Sequence, residues 1–316
     1  MLPDSGPVVV FHPRAGDDLA PLAQDRALLV QPFRPDHDAL AAAGYQLRWD
    51  APDDMRFAAA LVCLPRAKRQ AQALIARAAA LSDGLVIVDG GKTDGVDSLL
   101  REVRKRVPVE GALSKAHGRI FWFRADPAAF ADWTEPVSQR VDGFVTAPGV
   151  FSADGIDPAS RLLADSLPAH PGRHVADLGA GWGYLAARLL ADDKLESLDL
   201  VEADHIALSC AQQNIQDPRV RFHWADATRF QADRPFDAVV MNPPFHTDRS
   251  ADPALGQSFI SAAARLLSPR GQLWMVANRH LPYEAALTAA FAEHREIAGD
   301  SRFKILHAAR PLRHRA

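Results

Sequence analysis

Four consecutive residues, Asn242-Pro243-Pro244-Phe245, follow a strand-like run, Asp237-Ala238-Val239-Val240-Met241. Their types suit one demanding reaction, alkylation of a planar exocyclic amine. Such a nitrogen has its lone pair delocalised into the ring and is a poor nucleophile until it pyramidalises. The Asn242 side-chain carbonyl and a main-chain carbonyl from Pro243 can accept its two N–H bonds. That arrangement aims the lone pair at an electrophilic methyl group. Pro243 and Pro244 remove local N–H donors and stiffen the loop, so the carbonyls are pre-aimed. Phe245 offers a face on which a flipped base can stack. No strong general base is needed, because the amine loses its proton after it becomes cationic. The competing reading is a rigid proline turn with a buried Phe.

A second constellation explains where the methyl group would come from. The run Asp177-Leu178-Gly179-Ala180-Gly181-Trp182-Gly183 closes a strand, His174 to Leu178, and opens a helix. Gly179 and Gly181 let the backbone turn sharply beside a ligand, since no Cβ intervenes. A glycine turn alone is a weak signal, because dinucleotide enzymes use a similar one. Asp177, just before the glycines, would repel a pyrophosphate and suits an ammonium or amide instead. Glu202 ends the next strand, where its two oxygens can take both hydroxyls of a ribose. Asp226-Ala227 follows the strand after that, where a carboxylate could accept an adenine amino group. An ammonium, a ribose and an adenine in that order describe S-adenosylmethionine. Singly, Asp177 also reads as a helix cap, Glu202 as a surface strand end and Asp226 as a turn residue. One further glycine pair fails as a phosphate cradle. Gly90-Gly91-Lys92-Thr93 resembles the end of a P-loop, but Val86 stands where its first glycine belongs.

The elements that position these residues fall into two stretches. In 1–135, apolar runs recur at Val8–Phe11, Ala27–Val30, Tyr45–Trp49, Ala60–Leu64 and Leu85–Val88, with helical patterns at Lys68–Leu81 and Val96–Val107. In 136–316, strands are expected at His174–Leu178, Leu198–Glu202, Val220–His223, Phe236–Met241, Gln272–Ala277 and Phe303–Ala308. Helices are expected at Arg161–Leu167, Tyr184–Leu190, Ala207–Asn214, Phe259–Leu267 and Tyr283–Phe291. Continuous apolar strands alternating with helices mean a parallel sheet covered on both faces. The expectation is therefore α/β, with two doubly wound Rossmann-like domains in tandem and ligands at the strands' C-terminal ends. Ala125–Pro148, rich in Pro, Asp and Gly, reads as the connection.

The 316 residues exceed the usual size of one domain. Residues 1–140 hold 18 Lys+Arg against 18 Asp+Glu and the remainder 18 against 21, so neither half is a basic arm that binds phosphates in bulk. Nucleic-acid contact would need local patches, and Arg101, Arg104, Lys105 and Arg106 form one candidate, Arg310, Arg313 and Arg315 another. Either patch also reads as a solvated face. No apolar run approaches the ~20 residues of a membrane helix. Met1–Gly6 lacks the basic start and apolar core of a leader peptide. Cys63 and Cys210 read as buried free thiols. No metal site is expected, and the cytoplasm is the natural compartment.

From Gly149 onward the chain resembles the bacterial small-subunit ribosomal RNA guanine-N2 methyltransferases, which are class I S-adenosylmethionine-dependent enzymes. The carrying residues are Gly149-Val150-Phe151-Ser152 with Ile156-Asp157, then Asp177–Gly183 and Asn242–His246. Val276-Ala277-Asn278-Arg279-His280-Leu281-Pro282-Tyr283 and Phe303-Lys304-Ile305 complete them. The Asn-Pro-Pro-Phe motif also occurs in adenine-N6 and protein-glutamine methyltransferases, whereas the Ala277–Tyr283 segment is much narrower. The resemblance implies methylation of a guanine N2 in small-subunit (16S) ribosomal RNA, with ribosomal RNA or the small ribosomal subunit as partner and a monomeric enzyme. It implies that 1–135 is a degenerate methyltransferase-like domain that supports folding and RNA binding, and that 136–316 is catalytic. The N-terminal match is looser and rests on stretches such as Ser114–Arg119. It also places Phe151 and Ser152 near the methionine end of the cofactor. Lys304 reads as either an RNA contact or a solvated strand end. A non-catalytic RNA-binding assembly factor is the reading from another class, and intact cofactor and acceptor motifs argue against it.

Overall fold

The computed structural model describes residues 2–134, 138–244, 246–247, 250–251 and 253–312. Phe245, Arg313 and Arg315 lie outside the described residues. Residues 1–139 with 147–149 form one compact unit, and 140–146 with 150–316 form another.

In the first unit, β1 (Val8–Phe11), β2 (Ala27–Val30), β3 (Gln46–Arg48), β4 (Phe57–Cys63) and β5 (Ser82–Gly91) are parallel, and β6 (Val109–Lys115) and β7 (Gly118–Arg124) are antiparallel. The spatial order is β3-β2-β1-β4-β5-β7-β6. Helices α1 (Arg34–Ala42), α2 (Lys68–Leu81) and α3 (Val96–Val103) flank it. All four residues of β1 are buried, as a central parallel strand requires. One face of the sheet packs Val9, Phe11, Val62 and Val88 with α2 and α3, and the other packs Val8, Val10, Leu29 and Leu40. Pro127–Trp133 is not a connection but a 3-10 segment. Asp126 caps it, and its Phe130 and Trp133 are buried in this core.

The second unit opens with a hairpin, β8 (Gln139–Val141) and β9 (Phe144–Thr146), and then α4 (Pro158–Ser166). β10 (His174–Leu178), α5 (Tyr184–Leu189), β11 (Ser197–Glu202), α6 (His205–Asn214), β12 (Val220–Trp224) and β13 (Phe236–Met241) follow. Next come a short pair, β14 (His246–Thr247) and β15 (Ser250–Ala251), then α7 (Pro253–Leu266), β16 (Leu267–Asn278), α8 (Glu284–Ala290), β17 (Phe291–Gly299) and β18 (Phe303–Pro311). The order β12-β11-β10-β13-β16-β18-β17 repeats that of the first sheet strand for strand, again with the last two antiparallel. Two mostly parallel Rossmann-like sheets in tandem are therefore the architecture. Cores on both faces hold the sheet of this unit, with Leu178, Val239 and Met275 on one side and Val175, Leu200 and Val240 on the other. Each such fully buried aliphatic side chain is worth about 1.5–3 kcal/mol.

Each expected parallel sheet ends in antiparallel pairings, through β7 and β6 in the first and β18 and β17 in the second. The sequence expectation lacked β6, β7 and β17, and β6 and β17 are edges whose residues are mostly exposed. An edge strand with alternating Glu, His and Arg, as in Glu293–Glu296, protects its unpaired side with charge and lacks the apolar signal of a central strand.

Candidate active site

The site is assembled at the C-terminal ends of β10, β11 and β13. Asp177 sits one residue before the end of β10, fully buried, and among the described residues neither of its carboxylate oxygens has a partner at hydrogen-bond geometry. Burial, aided by the neighbouring Glu202 carboxylate, pushes its pKa up to about 8. An orphaned buried carboxylate is costly unless something positive is meant to meet it.

Beyond it the chain turns through Gly179 and Gly181, both with positive φ. L side chains rarely adopt that conformation. The turn is pinned to β11, since the Gly179 and Ala180 amides donate to the Val201 carbonyl at 2.8 and 3.2 Å. Glu202 completes the frame, its Oε2 accepting from Gly181 N and its Oε1 from Asp204 N, both at 2.8 Å. Burial still raises its pKa. Asp204, unremarked in the sequence, caps α6 through Ile206 N at 2.9 Å, and burial beside Glu202 raises it to about 7. Three acids with raised pKa values thus crowd one turn, the kind of cluster that marks a ligand site.

Asn242 immediately follows β13, and its side-chain amide is clamped. Nδ2 donates to Asp157 Oδ2 at 3.0 Å and to Ser160 Oγ at 2.8 Å. Asp157 is the N-cap of α4 and also accepts from Ser160 N at 2.7 Å. With Nδ2 turned toward α4, the Oδ1 carbonyl is left to accept from a donor N–H. Pro243 is buried and Pro244 exposed. Asn242, Gly179, Gly181, Asp157, Ser160, Phe151 and Ser152 line one cleft. Phe151 is 60% exposed, and its carbonyl accepts from Trp182 Nε1 at 3.1 Å. Ser152 also has positive φ, and its hydroxyl donates to Gly155 O at 2.7 Å.

Asp226 and Ala227 stand one strand farther out, after β12, and, like Asp177 and Glu202, do not line that cleft. Asp226 Oδ1 accepts from Thr228 N and Oγ1 at 2.8 and 2.6 Å, a turn role, and Oδ2 has no partner among the described residues. Phe245 lies outside the described residues. Lys304 overturns both of its sequence readings. It is 5% exposed, and its ammonium donates to Glu284 Oε1 at the start of α8. It is an internal strut, neither a solvated strand end nor an RNA contact. Lys304→Met should therefore leave RNA affinity and its salt dependence unchanged, since no phosphate contact is lost. Titrations of RNA binding at several salt concentrations check this, and a slope lowered by about one would restore the RNA contact. The basic patches stay at the surface but are partly neutralised there, with Arg106 paired to Asp132 and Arg310 to Glu293.

The first unit has the same turn geometry with different chemistry. Strand register makes Val10, His12, Gln31 and Cys63 the counterparts of Asp177, Gly179, Glu202 and Asn242. His12 N donates to Val30 O at 2.8 Å, as Gly179 N does to Val201 O, and His12 also has positive φ. Gln31 Oε1 accepts from Phe33 N at 2.8 Å, as Glu202 Oε1 does from Asp204 N. Its amide donates to Pro13 O at 2.7 Å, while the N–H of Arg14, the counterpart of Gly181, goes to Asp17 Oδ2 at 2.7 Å. No acid faces that turn from β1 or β2.

The model of the methyltransferase small domain family matches residues 142–307. The chain belongs to this family. A small-subunit ribosomal RNA methyltransferase C of Hahella chejuensis is 32% identical over 70% of this chain and 68% of its own. A large-subunit ribosomal RNA methyltransferase G of Aeromonas salmonicida is 35% identical over 50% of this chain and 44% of its own. Among solved structures, the T. thermophilus 16S rRNA guanine-N2 methyltransferase, in complex with AdoMet and guanosine, is similar over 98% of this chain and 90% of its own, with 26% identity and a TM-score of 0.81. The protein is thus an S-adenosylmethionine-dependent methyltransferase, as the motifs implied. The residues present fit that cofactor, because Asp177 supplies a buried carboxyl group, without a partner among the described residues, that an ammonium could meet. Among the described residues, no group of three or more His, Cys, Asp or Glu could hold a metal, and no helix is long and apolar enough to cross a membrane.

Proposed function

We propose that this methyltransferase acts on N2 of a guanine in small-subunit ribosomal RNA. The observation that carries the reading is the similarity of both units together, across 98% of the chain, to an enzyme of that specificity. S-adenosylmethionine supplies an electrophilic sulfonium methyl. On this reading Asp177 pairs with the cofactor's ammonium and Glu202 with the ribose hydroxyls. Phe151 and Ser152 flank the methionine end, Asp226 and Ala227 border the adenine, and Gly179 and Gly181 leave room for close approach. Asn242 Oδ1 and the Pro243 carbonyl accept the two N–H bonds of the guanine amine, and Phe245 stacks on the base. The protein works by placing dipoles where positive charge develops on the nitrogen, not by acid–base chemistry.

The first unit is read as a cofactor-less copy that supports folding and RNA binding, given Val10, Gln31 and Cys63 at the equivalent positions. A monomer suffices, because every site residue named comes from one unit of one chain. Two free cysteines suit the cytoplasm. The relatives that act on the large subunit favour one second reading, the same chemistry on a large-subunit guanine. Nucleoside mass spectrometry on ribosomal RNA from cells lacking the protein separates the two. One N2-methylguanosine should vanish from 16S RNA and be restored by the wild-type chain. Loss from the large-subunit RNA alone would overturn the small-subunit assignment.

A further inference from the structure

The geometry points to Asp157 as a positioning residue that selects which end of the Asn242 amide faces the substrate, with Ser160 as its second contact. This rests on the proposed reading of Asn242 as the acceptor of the amine's N–H bonds. A primary amide is nearly symmetric in shape and has opposite polarity at its two ends. One rotamer presents a carbonyl to the cleft, and the flipped rotamer presents an NH₂ that would repel the N–H bonds of an incoming amine. Something must break that degeneracy before substrate arrives, since catalysis by a fixed dipole requires the dipole to be oriented in advance.

Asp157 does so by chemistry alone. A carboxylate only accepts hydrogen bonds, so the amide end that meets it must be Nδ2. The observed contacts are 3.0 Å to Asp157 Oδ2 and 2.8 Å to Ser160 Oγ, which occupy both N–H bonds of Asn242. Ser160 on its own could not choose, because a hydroxyl donates as readily as it accepts. Asp157 is itself fixed by capping α4 through Ser160 N at 2.7 Å. α4 in turn is anchored on the sheet through Ala159 and Leu163, which pack in the core with Trp274, Val276 and Ile305. The helix cap, the amide lock and the cleft wall are therefore one rigid piece.

Asp157 Oδ2 accepts both from Ser160 N and from Asn242 Nδ2, so the informative variant is Asp157→Ser, which keeps a residue as good at the N-cap. A hydroxyl that accepts from Ser160 N still carries a hydrogen to donate toward residue 242, which favours the flipped Asn242. Methyl transfer to ribosomal RNA under single-turnover conditions should fall at least about tenfold. Melting temperature and calorimetric affinity for S-adenosylhomocysteine should stay near wild-type values. The double variant Asp157→Ser/Asn242→Asp should regain at least about threefold over the single variant, a coupling that a double-mutant cycle isolates. There the residue-242 carboxylate presents an oxygen to the cleft whichever way it turns and accepts from the new hydroxyl. Full activity of Asp157→Ser would overturn the inference, and so would a loss that tracks melting temperature or cofactor affinity, or a double variant with no recovery. Wild-type protein run alongside keeps the two claims separate. Failure of the wild type to methylate any guanine would sink the proposed function itself.

Discussion

Asn242→Ala is expected to lower the rate of methyl transfer about 10³-fold while S-adenosylhomocysteine affinity stays within about threefold of wild type. The asymmetry follows from where the residue sits. Its Nδ2 is spent on Asp157 and Ser160, which leaves Oδ1 to accept from a substrate amine. Truncation therefore removes an interaction that strengthens only as positive charge builds on the acceptor nitrogen. Asp177 and Glu202, to which the proposed reading gives the cofactor, are untouched. The substitution also leaves Asp157 with its cap to Ser160 N, so α4 keeps its start and the fold should hold. Single-turnover methylation of ribosomal RNA, paired with calorimetry, gives both quantities. Wild-type rates in the variant would remove Asn242 from the chemistry, and parallel losses of rate and affinity would make it a structural residue of the cleft.

Residues at the ends of central strands were legible because burial and chemistry leave separate marks there. β10, β11 and β13 are mostly apolar, so an acid or amide at or just past the C-terminal end of each stands out, as Asp177, Glu202 and Asn242 do. The α4 residues that aim Asn242 carry no such mark. Asp157-Pro158-Ala159-Ser160 reads as an ordinary helix start, and its partner lies 85 positions away in the chain. Only tertiary packing tells a cap from a cap that also orients an amide. Lys304 failed for a related reason. In sequence it is a lone cation at the start of a strand, and nothing local says that Glu284 reaches it. The first unit illustrates the reverse. Its strand rhythm predicted the same fold, yet the pairing of Gln31 with Glu202 emerges only from strand register and from hydrogen bonds of equal length.

Asp177→Asn should reduce S-adenosylhomocysteine affinity about 100-fold or more and stabilise the cofactor-free protein, most of all at high pH. Burial and Glu202 raise the Asp177 pKa to about 8 in the folded chain, against about 3.9 in an unfolded one. The folded state therefore holds a proton that the unfolded state has released. Between these two values stability falls as pH rises, because the chain must either protonate the acid or bury its charge. Asn carries no such cost, although it leaves an amide seeking partners, so a net gain of roughly 2 kcal/mol near pH 8 is expected. Cofactor binding reverses the sign. An ammonium against the carboxylate favours its ionised form, so wild-type affinity should climb about tenfold per pH unit up to about pH 8 and then level off. Calorimetry at pH 7 in buffers of different ionisation enthalpy should register release of close to one proton, which the Asn variant would lack. Thermal melts from pH 5 to 8, with and without S-adenosylhomocysteine, supply the other half of the cycle. A wild-type affinity flat with pH, or an Asn variant no more stable at pH 8 than at pH 5 relative to wild type, would mean that the orphaned carboxylate is not the ammonium's partner.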